Sequence, residues 1–304
     1  MRGVRKDEAV NSTTNTHTKT PYEVITDKVI SILESGQKTG SIQWHGMGNA
    51  GRIPYNFKTK KAYAGSNILT LWIAAQTFDY SSNAWMTFRQ AADLGGHIKK
   101  GEKGTLGIYF DTIEVHDDKG ANQDGGASRR IKMVKPFFVF NLDQTEGVDT
   151  GDSQFAWEPS ATPEEVIQST GARILEGGVR ACYSSEKDVI LVPDRHRFEN
   201  PENFYKVVLH ELSHWTGHET RLARDLKNRF GSEAYAMEEL VAELSAAFLS
   251  AELGVNGRLE HHANYIGSWL RVLSNDKRAI VAAAAAASKA ATFIFNPVAM
   301  SVTA

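Results

Sequence analysis

The hydrophobic pattern of the chain begins with a helical period. Apolar side chains recur every three to four positions from Pro21 to about Gly36 and again over 66–77, which predicts two amphipathic helices. A third, shorter helix is expected between Thr87, an N-cap residue, and the glycine pair at 95–96. The front of the chain is therefore expected to begin with three helices.

The pattern then changes to that of β-strands. Residues 104–113 and 134–140 are rich in β-branched and aromatic side chains, and a stretch rich in Gly and Asp over 117–128 separates them. Gly, Asp, Ser and Pro accumulate between Val148 and Thr162, where few apolar residues require burial. We therefore place a domain boundary there.

Behind this boundary the helical period dominates. A helix is expected from Thr162, an N-cap residue, to about Leu175, and a short strand over 189–192. Three strong helical patterns follow, at Glu202–Gly217, Met237–Leu253 and Asn264–Ser288. This order of elements predicts a mainly helical unit with a small sheet.

The predicted fold class is α+β with two domains. A flexible tail over 1–20 precedes a mixed α/β domain over 21–150, and the mainly helical domain covers 160–304.

Among the 304 residues, 41% are apolar and 23% charged, which excludes collagen-like, coiled-coil and wholly disordered proteins. Cys182 is the only cysteine, so no intrachain disulfide can form and a cytoplasmic location is expected. The bland run over 279–287 is too short to span a bilayer, and no membrane partner is expected.

The pattern H-E-x-x-H occurs within the first of the three helical segments. His210 and His214 lie about one turn apart on a helix, so both imidazoles can bind one Zn²⁺ ion. Glu211 is placed beside the metal, where it can act as the general base. The alternative is a helix that carries these residues on its surface, but the bulky neighbours Leu209 and Trp215 favour a partly buried site.

A catalytic zinc ion requires a third protein ligand. The preferred one is Glu239, because Glu239 and Glu243 share a face of the next helix at i, i+4. Glu239 can then bind the metal while Glu243 accepts the outer N–H of a ligating histidine. Glu243 itself, Glu238 and His218 are the alternative ligands, and a solvated helix face is the alternative role for the acids. Thr220 occupies the last position of the extended motif, where a third histidine would stand, which argues against that subclass.

The net charge of −2 is unevenly distributed. Residues 1–150 contain 19 Lys and Arg against 16 Asp and Glu, and the window 44–105 contains eight basic, three acidic and nine aromatic residues. Cations can follow phosphates while exposed rings stack on bases, so the window is a candidate surface for single-stranded DNA. The alternative is an ordinary basic face, with Trp72, Phe78 and Phe88 in the core. The candidate DNA-binding residues are Lys58, Lys60, Lys61, Tyr63, Trp85, Arg89, Lys99, Lys100 and Lys103.

Several longer segments carry a family resemblance. The front half contains PYNFKTKKAYAGSNILTLW and WMTFRQAADLGGHIKKGEKGT, and the rear half contains ACYSSEKDVILVP, HELSHWTGH and EELVAELSAAFL. Together and in this order they resemble the ArdC-type antirestriction proteins of conjugative plasmids. The front half also resembles the front region of TraC-type primases.

The resemblance implies a single-stranded-DNA-binding domain followed by a zincin-like metallopeptidase domain. His210, His214 and a carboxylate of the downstream helix would bind Zn²⁺ or another divalent metal, with Glu211 as the general base. The implied function is protection of incoming plasmid DNA from host restriction endonucleases during conjugation. The implied partners are single-stranded DNA and a host restriction endonuclease or another DNA-bound protein. A second hypothesis stays open, in which the protein is a DNA-binding shield, the metal is structural and no proteolysis occurs.

Overall fold

The computed structural model describes six stretches of the chain. These are residues 18–39, 52–116, 128–150, 161–226, 231–256 and 263–297. The predicted tail over 1–20 and the predicted loop over 117–128 lie almost entirely outside the described residues.

The described residues form helices and short strands in a mixed order. The helices are α1 (Pro21–Thr39), α2 (Ser66–Thr77), α3 (Phe88–Asp93), α4 (Pro163–Ser169), α5 (Pro201–Trp215), α6 (Glu233–Leu253), α7 (Ala263–Asn275) and α8 (Ala279–Phe295). The strands are β1 (Tyr55–Asn56), β2 (Ala84–Met86), β3 (His97–Ile98), β4 (Thr105–His116), β5 (Ser128–Asn141), β6 (Thr145–Glu146), β7 (Ile174–Glu176), β8 (Cys182–Ser184) and β9 (Val189–Val192). The predicted α+β class is confirmed.

The front half is built around a long antiparallel hairpin. Strands β4 and β5 pair from Thr105 opposite Val139 to the far end of the hairpin, and the sheet order is β1-β2-β5-β4. Helix α2 packs against β4, the outer strand of this sheet. The side-chain amide of Asn67 donates to the carbonyl of Ile108 at 2.9 Å, and its oxygen accepts the N–H of Ile108, also at 2.9 Å. This side chain therefore satisfies part of the edge of β4.

The rear half combines a small sheet with a helical layer. Its sheet has the order β7-β9-β8, in which β7 is parallel and β8 antiparallel to β9. Helix α5 packs against β8 and β9 on one side and against α6 on the other. Fifteen residues of α6 are buried, so this helix forms the centre of the rear half.

The two halves share one hydrophobic core. Ile25 and Leu33 of α1 are fully buried in the same cluster as Trp269 of α7, and the ring of Trp72 in α2 lies 5.7 Å from that of Phe248 in α6. Polar contacts join the same elements, since the Thr26 hydroxyl donates to a carbonyl of the α7–α8 connection at 2.7 Å. The domain limits of 21–150 and 160–304 stay a prediction.

One predicted helix in the rear half is two helices. The pattern over Asn264–Ser288 suggested a single element, but the chain bends by 119° between α7 and α8. Asp276 lies at the break, where its carboxylate accepts the N–H of Arg278 and competes with helical hydrogen bonding. Among the described residues, no single helix is long and apolar enough to cross a membrane.

A second predicted helix is shorter than its pattern suggested. Helix α4 has the expected capping box, in which Thr162 and Glu165 exchange hydrogen bonds, but it ends at Ser169 and not near Leu175. Gly171 follows with φ of +66°, a left-handed conformation that terminates helices, and Leu175 belongs to β7. In the front half, α2 and the Thr87 cap of α3 are confirmed.

Candidate metal centre

Helices α5 and α6 present the candidate metal ligands to one another. Asn200 caps α5 by accepting the N–H of Asn203 at 2.8 Å, and Leu209 and Leu212 bury one side of this helix in the core. His210 and His214 are one turn apart on its other side, and their ring centroids are 4.9 Å apart. The local sequence therefore aims both imidazoles at α6.

Glu239 of α6 completes a three-residue cluster. Its Oε2 lies 3.6 Å from Nε2 of His210, and its Oε1 lies 3.7 Å from Nε2 of His214. Donor atoms of the three residues lie within 4.8 Å of one another. A tetrahedral ion with bonds of about 2.0–2.2 Å holds its ligands about 3.3–3.6 Å apart, so this donor set fits a divalent metal with little movement.

Each histidine has a carboxylate behind it. Oε2 of Glu243 lies 3.7 Å from Nδ1 of His210, where the outer partner was predicted. Oε1 of Glu238 lies 3.1 Å from Nδ1 of His214. Glu238, an alternative ligand on sequence grounds, thus sits on the outer side of a ligand ring. A carboxylate in that place fixes the tautomer and orientation of the ring.

Two cations support these outer carboxylates. Arg224 donates to both oxygens of Glu238, at 2.9 and 2.8 Å, and also to the carbonyl of Ser213 at 2.6 Å. Lys206 is buried near Glu243, and its pKa is lowered by burial although the charge of Glu243 acts in the opposite direction. Sequence reasoning missed both cations, because the carboxylates that they meet belong to a different helix.

Electrostatic coupling shifts the titration of the ligands. Burial alone would lower the pKa of His210, but the carboxylates of Glu239 and Glu243 and the charge of Glu211 outweigh it and raise the pKa to about 10. Burial would likewise raise the pKa of Glu239, yet the neighbouring histidines bring it down to about 2. The metal-free cluster is therefore a set of ion pairs, which a divalent cation can replace.

Glu211 is buried close enough to the cluster for its charge to act on His210. It is 8% exposed, and its negative charge raises the pKa values of His210, of the Tyr265 hydroxyl and of the Cys182 thiol, in the last two cases together with burial. Cys182 belongs to β8 and Tyr265 to α7, so the charge of Glu211 acts on groups of both elements.

A pair of tyrosines borders the cluster. The hydroxyls of Tyr235 and Tyr265 are 3.2 Å apart, and burial, then the hydrogen bond with Tyr265 and the proximity of Glu239, raise the pKa of Tyr235. Both hydroxyls therefore stay protonated and can donate hydrogen bonds. Tyr265 was not identified from the sequence, because it comes from α7 and only the tertiary fold brings it to α5 and α6.

His218, the other alternative ligand, is not part of this cluster. Its Nδ1 is paired with the Thr220 hydroxyl at 2.8 Å, and the Thr220 N–H also points to it. Within the described stretches, the only group of three or more metal-binding side chains is His210, His214 and Glu239.

The predicted DNA-binding residues differ in their accessibility. The seven predicted lysine and arginine residues are all exposed. Two of them have partners within the protein, since the Lys58 ammonium pairs with Asp93 at 2.6 Å and the Lys99 ammonium donates to a backbone carbonyl at 2.7 Å. Tyr63 is half-buried, with its ring stacked on Phe137 at 6.4 Å. The exposed basic residues are Lys58, Lys60, Lys61, Arg89, Lys99, Lys100 and Lys103.

The structure corrects the prediction for three aromatic residues. Trp85 was expected to stack on DNA, but it is 1% exposed because β2 lies inside the sheet and turns this ring into the core. Phe78 and Phe88 were expected in the core, but they are 60% and 64% exposed, at the end of α2 and the start of α3. Exposed rings are thus present on the front half, at positions other than Trp85.

Two family models match the chain. The N-terminal domain of anti-restriction factor ArdC matches residues 19–140, and a zincin-like metallopeptidase matches residues 161–286. The crystal structure of the antirestriction protein ArdC from plasmid R388, in its metal-free form, aligns with a TM-score of 0.76 and 34% identity, covering 91% of this chain and 97% of that one. The chain belongs to the ArdC family of antirestriction proteins.

Other relatives extend this comparison. The Mn(II)-bound structure of the same R388 ArdC protein aligns with a TM-score of 0.74 and 35% identity over 91% of this chain and 97% of that one. An uncharacterized protein, y4eC of Sinorhizobium fredii, is 35% identical over 93% of this chain and 94% of its own length. A DNA primase TraC of Escherichia coli is 36% identical over 94% of this chain, but the match spans 20% of the primase.

Proposed function

We propose that this ArdC-family protein binds single-stranded DNA through its front half and cleaves a DNA-bound protein at a zinc site in its rear half. The result would be protection of incoming plasmid DNA from host restriction endonucleases during conjugation, in the cytoplasm of the recipient. The observation that carries the proposal is the convergence of His210, His214 and Glu239, with Glu211 beside them. The metal-bound form of R388 ArdC supports a divalent ion in this family.

The residues of the site have separate roles in this proposal. A divalent ion bound by the two histidines and Glu239 would polarise a carbonyl and lower the pKa of a bound water. Glu211 accepts the proton of the attacking water and passes it to the leaving amine. The hydroxyls of Tyr235 and Tyr265 stay protonated beside Glu239, so they can donate to a carbonyl oxygen as it gains negative charge.

The edge strand β8 offers a place for the substrate chain. Among the strands that the structure describes, it pairs only with β9, and Cys182 in it is close enough to Glu211 for that charge to act on its thiol. An extended peptide can add to such an edge by main-chain hydrogen bonds. This would bring a peptide bond to the general base without any requirement for a particular side chain.

The exposed basic residues of the front half support the DNA part of the proposal. Lys99 and Lys100 lie beyond β3, and Lys103 lies just before β4. Charge reversal at Lys99 and Lys100 should weaken single-strand affinity and reduce its salt dependence, since fewer counterions are released. Unchanged affinity at several salt concentrations would remove these residues from the DNA surface.

The competing function is a DNA-binding shield with a structural metal. Both hypotheses predict that the metal stabilises the protein, so stability does not distinguish them. Glu211→Gln does, because it retains both histidines and Glu239 and removes only the base. Glu219→Gln is the matched control, an exposed glutamate eight residues beyond Glu211 on the same segment.

The test measures plasmid transfer into a restricting host together with DNA-stimulated cleavage of added protein. We expect Glu211→Gln to lose both protection and cleavage, and Glu219→Gln to keep both. Full protection by Glu211→Gln would reject proteolysis as the basis of antirestriction and leave the shield. Metal analysis of the protein purified from the host cytoplasm identifies the ion as zinc or another divalent metal.

A further inference from the structure

Two arginines of the connection between α5 and α6 bind different parts of the rear half. Arg224 donates to both oxygens of Glu238, the carboxylate behind His214. Arg221 lies three residues earlier and donates to the hairpin that β8 and β9 form. Both side chains are largely buried. One cation is therefore directed toward the metal centre and the other toward the edge strand.

Arg221 is anchored at the end of the helix that carries both histidines. Its Nε donates to the carbonyl of Trp215, the last residue of α5, at 2.6 Å. Its guanidinium carbon lies 4.0 Å from the centroid of the Trp215 ring, which is itself buried. Because the guanidinium is planar and rigid, these contacts fix the direction of its remaining N–H groups. Trp215 directly follows His214, so the anchor lies beside a predicted metal ligand.

The hairpin receives this guanidinium with two side chains. Both carboxylate oxygens of Asp188 accept from Arg221, and the Tyr183 hydroxyl accepts from the same group at 3.1 Å. The Tyr183 hydroxyl donates in turn to Asp188 at 2.7 Å. The hydrogen bonds from Arg221 lower the pKa of Asp188, so the pair stays charged. Since Tyr183 belongs to β8 and Asp188 to the turn behind it, Arg221 holds the edge strand against the end of α5.

This connection matters for a substrate that adds to β8. Such a chain is recognised through its main chain, so the place of β8 relative to α5 sets the place of the substrate carbonyl relative to the metal. A displacement of about 1 Å at the reacting atoms can lower the rate about 100-fold. Among the described residues, the hydrogen-bond partners of Arg221 include no predicted metal ligand and no carboxylate behind one. Loss of Arg221 should therefore disturb alignment and not metal binding.

We propose that Arg221 is a positioning residue, which holds β8 at a fixed distance from the metal centre and thereby aligns the substrate carbonyl. Arg224 has the complementary role, because it acts on metal affinity through Glu238. This division rests on the proposed function, in which β8 carries the substrate chain. It gives two arginines of one short connection opposite signatures in experiment.

Cys182 provides the direct measurement, because it lies on β8 and is the only cysteine of the chain. A nitroxide on Cys182 and Mn(II) at the metal centre report the distance between strand and metal by electron paramagnetic resonance. We expect one narrow distance distribution in the wild type and a broadened one in Arg221→Ala. Arg224→Ala should keep the narrow distribution once Mn(II) is saturating. Arg271→Ala, at an exposed position of α7, is the control and should resemble the wild type.

Cleavage of β-casein, an unstructured protein, provides the second readout in unlabelled protein. With DNA present and zinc saturating, Arg221→Ala should have kcat/KM lowered about tenfold or more. Its metal affinity, measured by competition with a dye, should equal that of the wild type. Arg224→Ala should show the reverse, with metal affinity lowered about 10- to 100-fold and kcat/KM recovered at saturating zinc.

Asp188→Asn is the second variant in case Arg221→Ala does not fold. Asp188 has φ of +46°, in the left-handed region that asparagine also adopts, so this change removes the charge and keeps the backbone. It should broaden the distance distribution in the same direction, by a smaller amount.

The positioning role is overturned if the distance distribution is unchanged in both variants while circular dichroism shows that they are folded. Unchanged kcat/KM in a variant with a broadened distribution overturns it as well, and so does a loss of metal affinity in Arg221→Ala equal to that in Arg224→Ala. Absence of cleavage by the wild type, with the distances changed as expected, would instead reject the proposed function and keep the placement of β8 by Arg221.

Discussion

At the scale of single residues, the carboxylates behind the histidines control how well the site binds metal. Glu238→Gln removes the charge that orients His214 and leaves Arg224 without its ion pair. Loss of such an outer partner lowers metal affinity about 10- to 100-fold. Competition with a metal-binding dye measures this change. Glu233→Gln, on the exposed first turn of the same helix, is the control and should bind metal like the wild type.

The raised pKa of His210 predicts opposite pH dependences for the metal-free and metal-bound protein. The charged imidazole stabilises the metal-free fold fully below its ordinary pKa of 6.5, and this contribution is lost as the pH rises through about 10. Metal binding requires the neutral imidazole, so it strengthens over the same range. As the pH rises from about 7 to about 9, the melting temperature of the protein with a chelator should therefore fall relative to that of the protein with metal. If the two curves of melting temperature against pH ran parallel, the metal-free ligands would not form the ion pairs described above.

The spacing of residues was enough to predict part of this site. His210, Glu211 and His214 follow from one helical turn, and Glu239 from the need for a third ligand on the next helix. The sequence did not distinguish the roles of the other acids, because the direction of each imidazole depends on how α5 and α6 pack. The burial of Trp85 could not be predicted for the same reason, because it depends on the position of β2 within the sheet and not on the local sequence.

At the scale of elements, the cap of α5 fixes the helix that carries both histidines. Asn200 is the cap, and its side chain accepts the N–H of Asn203 at 2.8 Å. Asn200→Ala should lower the free energy of unfolding by about 0.5–2 kcal/mol, and Asn200→Gly by only a few tenths. Urea denaturation of both variants measures the difference. Equal losses for Ala and Gly would mean that the side-chain bond does not stabilise the helix.

Elements with a complete local signal were predictable. The Thr87 cap of α3 matches its sequence signal because the full capping box is present, and α2 matches its run of apolar residues although Gly65 at its start provides no side-chain cap. The break between α7 and α8 was missed, although residues 274–278 are all polar and interrupt the apolar stripe at the point where the Asp276 carboxylate accepts the N–H of Arg278. Strands of two or three residues, such as β3 and β6, carry too few side chains to show a period.

At the scale of the whole molecule, the shared core predicts a single cooperative unfolding transition. Trp72 of α2 is 6% exposed and packs against Phe248 of α6, which is in the helix that carries Glu239. Trp72→Ala should therefore lower stability by about 3–5 kcal/mol and shift the whole transition, although Trp72 is in the front half. Scanning calorimetry is the measurement. Two resolved transitions, of which only one moves, would show that the halves unfold independently.

The proposed chemistry depends most directly on one metal ion held by His210, His214 and Glu239. The decisive measurement is the metal content of purified wild type, Glu239→Ala, His214→Ala and Glu211→Gln after saturation with zinc and removal of excess, determined by mass spectrometry. We expect one ion per chain in the wild type and in Glu211→Gln, and a loss of most of the ion in Glu239→Ala and His214→Ala. Full metal content in folded Glu239→Ala would show that this carboxylate is not a ligand.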